Sequence, residues 1–169
     1  MALYTLENVK EPTMVQIQSI SDDRGILVPF SDDIDHDLFH RCYVVEDYGK
    51  GVVRGLHYHF KEFKIFNIVA GAAKFITFLL PEDMGVRNNN EEITEYARTH
   101  PENIRSFVMS SRHHGVLLVP PKYANGWVSL EDGTVLVSLG NLRWDEAKHD
   151  DIRINPLTIG DHYWKVIGR

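Results

Sequence analysis

Residues 51–71, GVVRGLHYHFKEFKIFNIVAG, hold two short β-type runs, Val52 to Tyr58 and Phe63 to Val69, with Gly71 as the break after the second. In FKIFNIVAG the alternation sets Lys64, Phe66 and Ile68 on one face of a strand and Ile65, Asn67 and Val69 on the other. Working outward, the same kind of run recurs upstream at Val15 to Ile20, Gly25 to Pro29 and Phe39 to Glu46. Downstream it recurs at Ala73 to Leu80, Gly115 to Val119, Asn125 to Leu130 and Thr134 to Leu139, with Glu131, Asp132 and Gly133 as a hairpin turn before TVLVSL. Many short strands and few long helical patterns predict an all-β sandwich or barrel. The exception is Pro81 to Ser111, a polar stretch in which Asn90 to His100 reads as a short helix capped by asparagine. It is expected to be an inserted excursion on the barrel.

A chain of 169 residues without a Gly-, Ser- or Pro-rich linker or an internal repeat predicts a single domain, 1–169. Hydrophobic residues at 43% and charged residues at 25% are the proportions of a folded protein. The net charge of -6 argues against nucleic acid or an anionic membrane as partner, while a few local cations still suffice for one phosphorylated ligand. The single cysteine, Cys42, excludes a disulfide within the chain and is compatible with a reducing compartment; it reads as a small residue in the strand-like FHRCYVVE. The stretch MALYTLENVKEPTM carries acidic residues and no apolar core of signal-peptide length, so a cytoplasmic protein is expected.

The stretch at 51–71 also concentrates three cations and two imidazoles. On an extended chain His57 and His59 point to the same side, and a barrel interior would bring Lys64, on the next strand, within reach of them. One reading of the pair is metal binding. That chemistry asks for a carboxylate a few residues later and a further histidine, whereas here Glu62 follows too closely and Asn125, in VPPKYANGW, stands where a third imidazole is wanted. No metal is therefore expected. The other reading is metal-free proton transfer, in which an imidazole titrating near neutrality removes a proton beside a ketone, Lys64 stabilises the enolate and Arg54 holds a phosphate. A lone histidine on a strand is more often a packing residue, and a lone lysine or arginine a solvated charge. The clustering of these groups carries the functional reading.

The segment RGLHYH at 54–59 with KIFNIVAG at 64–71, DDRG at 22–25, and VLLVPPKYANGW at 116–127 resemble the dTDP-4-dehydrorhamnose 3,5-epimerase family, with gaps, from about Val15 to about Ile159. The resemblance implies a cupin jelly-roll β-barrel, a homodimer, a nucleoside-diphosphate sugar substrate and no metal or organic cofactor. It makes His57 the catalytic base, Lys64 the enolate-stabilising residue, and Arg24 and Arg54 contacts to substrate and phosphate. The chain departs from the family pattern at Ser138, where the family has a tyrosine acid, and at Asn155, where it has the acidic partner of the base. It departs again at Asn125, which replaces a late histidine, and near Pro29, where an acidic residue is missing. A single epimerisation, or a different keto-sugar, fits these departures better than double epimerisation.

The chain is also similar to a sister group, the dTDP-sugar 3,4-ketoisomerases, which carry a His-x-His segment preceded by an Arg-x-Tyr strand. Arg41, Tyr43 and His59 match that pattern, while Leu56, Tyr58, Lys64 and the VPPKYANGW turn are nearer the epimerases. The leading expectation is an epimerase acting on a 4-keto-6-deoxy sugar, with His57, Lys64 and His59 catalytic and Arg24, Arg54, Asn125, Tyr43 and Ser138 contacting substrate. A ketoisomerase is the second reading. A non-catalytic sugar-nucleotide binder is the third, motivated by Ser138 and Asn155. Tyr43, Tyr58 and Tyr123 are the phenols available to replace the missing acid, although packing is the plainer role for each. Trp127 and Trp144 are candidates for stacking on a ring, with core packing again the plainer role.

Overall fold

The computed structural model describes residues 3–166. The strands are β1 (Thr13–Gln16), β2 (Ile20–Asp22), β3 (Gly25–Leu27), β4 (Arg41–Asp47), β5 (Val53–Tyr58), β6 (Lys64–Ala70) and β7 (Ala72–Leu79). They are followed by α1 (Glu82–Arg87), α2 (Asn90–Thr99), β8 (Ile104–Ser110), β9 (Gly115–Val119), β10 (Tyr123–Ser129), β11 (Thr134–Gly140), α3 (Trp144–Ala147) and β12 (Ile152–Arg153). Two five-stranded sheets, ordered β1-β9-β6-β11-β4 and β12-β5-β10-β7-β8, form the barrel, and every pairing within them is antiparallel. The strand pattern predicts such an all-β barrel, and the family resemblance implies its jelly-roll form.

The alternation in β6 sorts its side chains between two cores. Phe66 and Ile68 meet Leu117, Leu136, Phe75 and Trp127 between the sheets. Ile65 faces the other way, under a cover made by Val9, Ile34 and Leu38 from the N-terminal segment. The second sheet is covered in the same manner: Leu56, Ile76 and Phe78 pack beneath Ile93 and Ala97 of α2 and beneath Ile159 and Trp164. Each of these large side chains contributes roughly 1.5–3 kcal/mol by leaving water. With both faces covered, β6 and β10 are buried along nearly their whole length. Between the sheets the apolar core closes one end of the barrel and leaves the other end open.

The excursion is shorter than the sequence suggested. Residues 81–103 hold α1, α2 and a short turn of 3-10 helix, but Ile104–Ser110 pairs with β7 along its whole length and forms the edge of the second sheet. Only Ile104 and Met109 of this strand are fully buried, so its polar sequence hid it. The helix near Asn90 is present as α2, and Asn89 caps it by accepting from the backbone N–H groups of Glu91 and Glu92. The early runs are also cut differently: β1 ends at Gln16, and β2 and β3 pair only with each other, exposed throughout.

Gly55 sets the packing next to the site. Its φ is +122°, and a Cβ there would lie 2.6 Å from Gly126 Cα and 2.8 Å from the Asn125 carbonyl oxygen. The β5 and β10 backbones therefore touch beside the RGLH segment, where their register shifts between Asn125 and Trp127.

Candidate active site

The open end of the barrel is a cavity of about 840 Å³. The first sheet contributes Arg41 and Tyr43 from β4 and Lys64 and Phe66 from β6; the second contributes Arg54 and His57 from β5 and Asn125 and Trp127 from β10. His59, one residue past β5, and the segment after β11, through Trp144, Lys148, Asp151 and Arg153, complete the wall.

His57 Nδ1 lies 2.8 Å from Asp151 Oδ1. A carboxylate can only accept, so Nδ1 carries the proton and Nε2 is left with its lone pair. Burial works to raise the Asp151 carboxyl, but the hydrogen bond from His57 and the neighbouring positive groups outweigh it and hold the group below its ordinary value. His57 is thus oriented as a base and backed by an anion.

His59 is in the same cavity under different conditions. It is 4% exposed, and its Nδ1 donates to the Asp150 carbonyl oxygen at 3.1 Å. Burial first, and the Lys64 charge second, push its pKa down to about 3, so near neutrality it is a neutral ring whose Nε2 accepts hydrogen bonds. Such a group suits a sugar hydroxyl better than it suits proton abstraction. Asp150 also fixes the turn that follows: its carboxylate accepts from the backbone N–H groups of Phe60, Lys61 and Glu62 at 3.1, 3.0 and 2.7 Å. The adjacent residues Asp150 and Asp151 therefore position both imidazoles.

Lys64 is 4% exposed, with its Nζ 2.8 Å from Glu62 Oε2 and donating to the Tyr43 hydroxyl at 3.3 Å. The Arg41 guanidinium lies between two rings, 4.9 Å from that of Tyr43 and 5.5 Å from that of Trp144. Arg54 donates from Nε to the buried carboxylate of Asp47 at 2.5 Å and lines the cavity. Asn125 straps the wall, its Nδ2 donating to the carbonyl oxygens of His57 and Tyr123.

Two residues expected to contact substrate are not on this wall. Arg24 lies at the exposed tip of the β2–β3 hairpin, paired with Asp22, because that hairpin joins neither barrel sheet. Ser138 is fully buried on β11 between Tyr43 and Phe66 of the flanking strands, and its hydroxyl has no hydrogen-bond partner among the described residues. Of the three candidate phenols, Tyr43 lines the cavity. Tyr58 packs in the core on the other side of β5, where burial pushes it up to about 12, and Tyr123 lies outside the cavity. Asn155 accepts from the Leu157 backbone N–H and caps a turn of 3-10 helix. The carboxylate sought at that position is supplied by Asp151, four residues earlier. The signal for it was the acidic pair at 150–151 ahead of the β-type run IRI.

No protein-family model and no curated protein sequence matches the chain. Among solved structures, the rmlC epimerase of Mycobacterium tuberculosis is similar, with a TM-score of 0.69 at 15% identity over 95% of this chain and 75% of that one. QdtA, a sugar 3,4-ketoisomerase of Thermoanaerobacterium thermosaccharolyticum solved with TDP, gives 0.63 at 20% identity over 90% of this chain and 95% of its own. ChmJ, a 3'-monoepimerase of Streptomyces bikiniensis solved with dTDP-quinovose, gives 0.67 at 16% over 98% and 77%. The chain has the cupin jelly-roll fold of these proteins.

Proposed function

We propose that the chain is a nucleotide-sugar epimerase that removes a proton from the carbon beside the ketone of a nucleoside-diphosphate 4-keto-6-deoxy sugar. The observation that carries this is the pairing of His57 with Asp151 opposite a buried Lys64 in one cavity. His57 Nε2 takes the proton, the C–H electron pair becomes the C=C bond of the enolate as the carbonyl π pair moves onto oxygen, and the Lys64 ammonium stabilises that enolate oxygen. Inversion requires a donor on the other face of the sugar, and in this reading that proton comes from Tyr43, the cavity phenol that accepts from Lys64 at 3.3 Å. Arg54, Lys148 and Arg153 supply cations for a diphosphate, and Trp144 supplies an exposed ring for the base. QdtA was solved with TDP, a nucleoside diphosphate, and ChmJ with dTDP-quinovose, a nucleoside-diphosphate sugar, which supports a ligand of that kind here.

The reading includes a homodimer. The β2–β3 hairpin exposes Ile20, Ile26 and Leu27 and carries Arg24 outside the cavity of its own chain. Docking on a second copy would cover that surface and give Arg24 a place near substrate; sedimentation equilibrium reads the association. An acidic chain with one free cysteine also fits work in the reducing cytoplasm, which fractionation of the producing cell tests.

A second reading, a 3,4-ketoisomerase, is favoured by His59 standing beside His57 in the cavity, with Arg41 and Tyr43 opposite. Incubation with nucleoside-diphosphate 4-keto-6-deoxy sugars in heavy water, followed by NMR, tests both. Epimerisation places deuterium at the carbon beside a ketone that stays at C4, and ketoisomerisation moves the ketone. If the protein exchanges no proton with several such sugars while a known epimerase does so in parallel, both readings fail. Tight binding without exchange, unchanged in His57→Asn, would leave a sugar-nucleotide binder.

A further inference from the structure

Glu62 is the least exposed charged group on the cavity wall, at 1%, and three basic side chains surround its carboxylate. Lys64 Nζ is 2.8 Å away, His59 Nδ1 3.4 Å and Arg41 Nη2 3.5 Å. We propose that Glu62 is a positioning residue: its carboxylate holds the Lys64 ammonium and the Arg41 guanidinium in place against the cavity. The inference rests on the proton-transfer reading above and names the group that keeps the enolate-stabilising charge where that reaction needs it.

The carboxylate has a place built for it. Its own backbone N–H is held by Asp150, and the next one, of Phe63, donates to Asn141 Oδ1 at 2.7 Å. Gly140, at the end of β11, leaves the room: a Cβ there would lie 2.5 Å from Glu62 Oε1. Stability alone does not account for such a cluster, because buried ion pairs seldom outperform apolar side chains of the same volume, whereas removing one partner leaves a costly unpaired charge. With His59 neutral, the cluster holds two cations and one anion. That leaves one net positive charge on the wall, the sign an enolate oxygen needs, and ties its bearer to one geometry.

The test compares wild type, Glu62→Gln, Lys64→Met, the double variant and Gly140→Ala, which keeps every charge and displaces only the carboxylate. In the heavy-water assay Glu62→Gln should lower kcat about tenfold or more with KM within about twofold, and should add nothing in the Lys64→Met background. An independent readout is acetylation of the Lys64 amine by acetic anhydride, followed by peptide mass spectrometry. A side chain released from the carboxylate 2.8 Å away is free to turn into the cavity and meet the reagent, so Lys64 should react about fivefold faster in Glu62→Gln and faster also in Gly140→Ala. Unchanged acetylation, or losses that simply add in the double variant, would overturn the proposal. If wild type exchanges no proton, the enzyme reading falls while acetylation still decides the role of Glu62. If Glu62→Gln does not fold, Gly140→Ala carries the comparison.

Discussion

An imidazole serves as a base near neutrality only in the tautomer that leaves a lone pair toward the substrate, and at His57 that choice belongs to Asp151. The hydrogen bond at 2.8 Å fixes Nδ1 as the protonated nitrogen, and the carboxylate stabilises the imidazolium that forms once Nε2 has taken a proton. Asp151→Asn preserves the shape and removes both the charge and the tautomer preference. It should lower kcat of the exchange reaction by about 10²-fold while KM moves less than about threefold. Steady-state kinetics with a protonated and a C-deuterated sugar check this, and a kcat within threefold of wild type would exclude Asp151 from the base. The same residue marks a limit of sequence reading. That His57, His59 and Lys64 share a cavity followed from strand alternation and one turn. The partner carboxylate did not follow, because Asp151 is positioned by the two-residue strand β12, whose pairing of Ile152 with Tyr58 and Arg153 with His57 is too short to leave a periodic pattern.

At the level of elements, most barrel strands were legible as β-type runs, including β4 and β5, which partly meet water, and the polar edge strand β8 was not. β8 escaped notice because an edge strand beside solvent carries Arg105, Ser106 and Ser110 among its apolar residues. β3 is shorter than the run read at Gly25 to Pro29, and β2 starts only at the last residue of the run ending at Ile20; both are three-residue strands that belong to no barrel sheet, with Ile20, Ile26 and Leu27 each more than half exposed. Exposed apolar side chains on a hairpin outside both barrel sheets are what an association surface requires. Covering one isoleucine is worth roughly 1.5–3 kcal/mol, about tenfold or more in a dissociation constant. If the proposed homodimer forms through this hairpin, Ile26→Lys should weaken it at least about tenfold in sedimentation equilibrium without lowering the melting temperature of the dissociated chain, because the side chain is more than half exposed. A monomeric wild type, or an Ile26→Lys variant that dimerises equally well, would remove the hairpin from the interface.

For the whole molecule, the buried His59 links the chemistry of the site to acid stability. Its ordinary pKa of 6.5 applies in the unfolded chain, and in the folded chain burial and the Lys64 charge push it down to about 3. Between those values the unfolded chain binds a proton at this ring and the folded chain does not. Stability is thus fully present above pH 6.5 and declines as pH falls toward 3, by roughly 1 kcal/mol per pH unit once the unfolded imidazole is protonated. Asp151 acts in the same direction but in a lower window, below its ordinary value of 3.8, so the fall between pH 6 and 4 belongs to His59. His59→Gln removes the titrating ring and keeps an amide able to donate to the Asp150 carbonyl oxygen. Urea unfolding midpoints taken from pH 7.5 to 4 should fall steadily in wild type and stay nearly level in the variant, even if the variant starts lower at pH 7. Equal slopes for the two proteins would show that the proton uptake lies elsewhere, and a level wild-type curve would mean that the ring is not held neutral. The expected slope follows from enclosing an imidazole beside a lysine: the enclosure that makes His59 a fixed acceptor in the cavity makes the folded chain yield to acid.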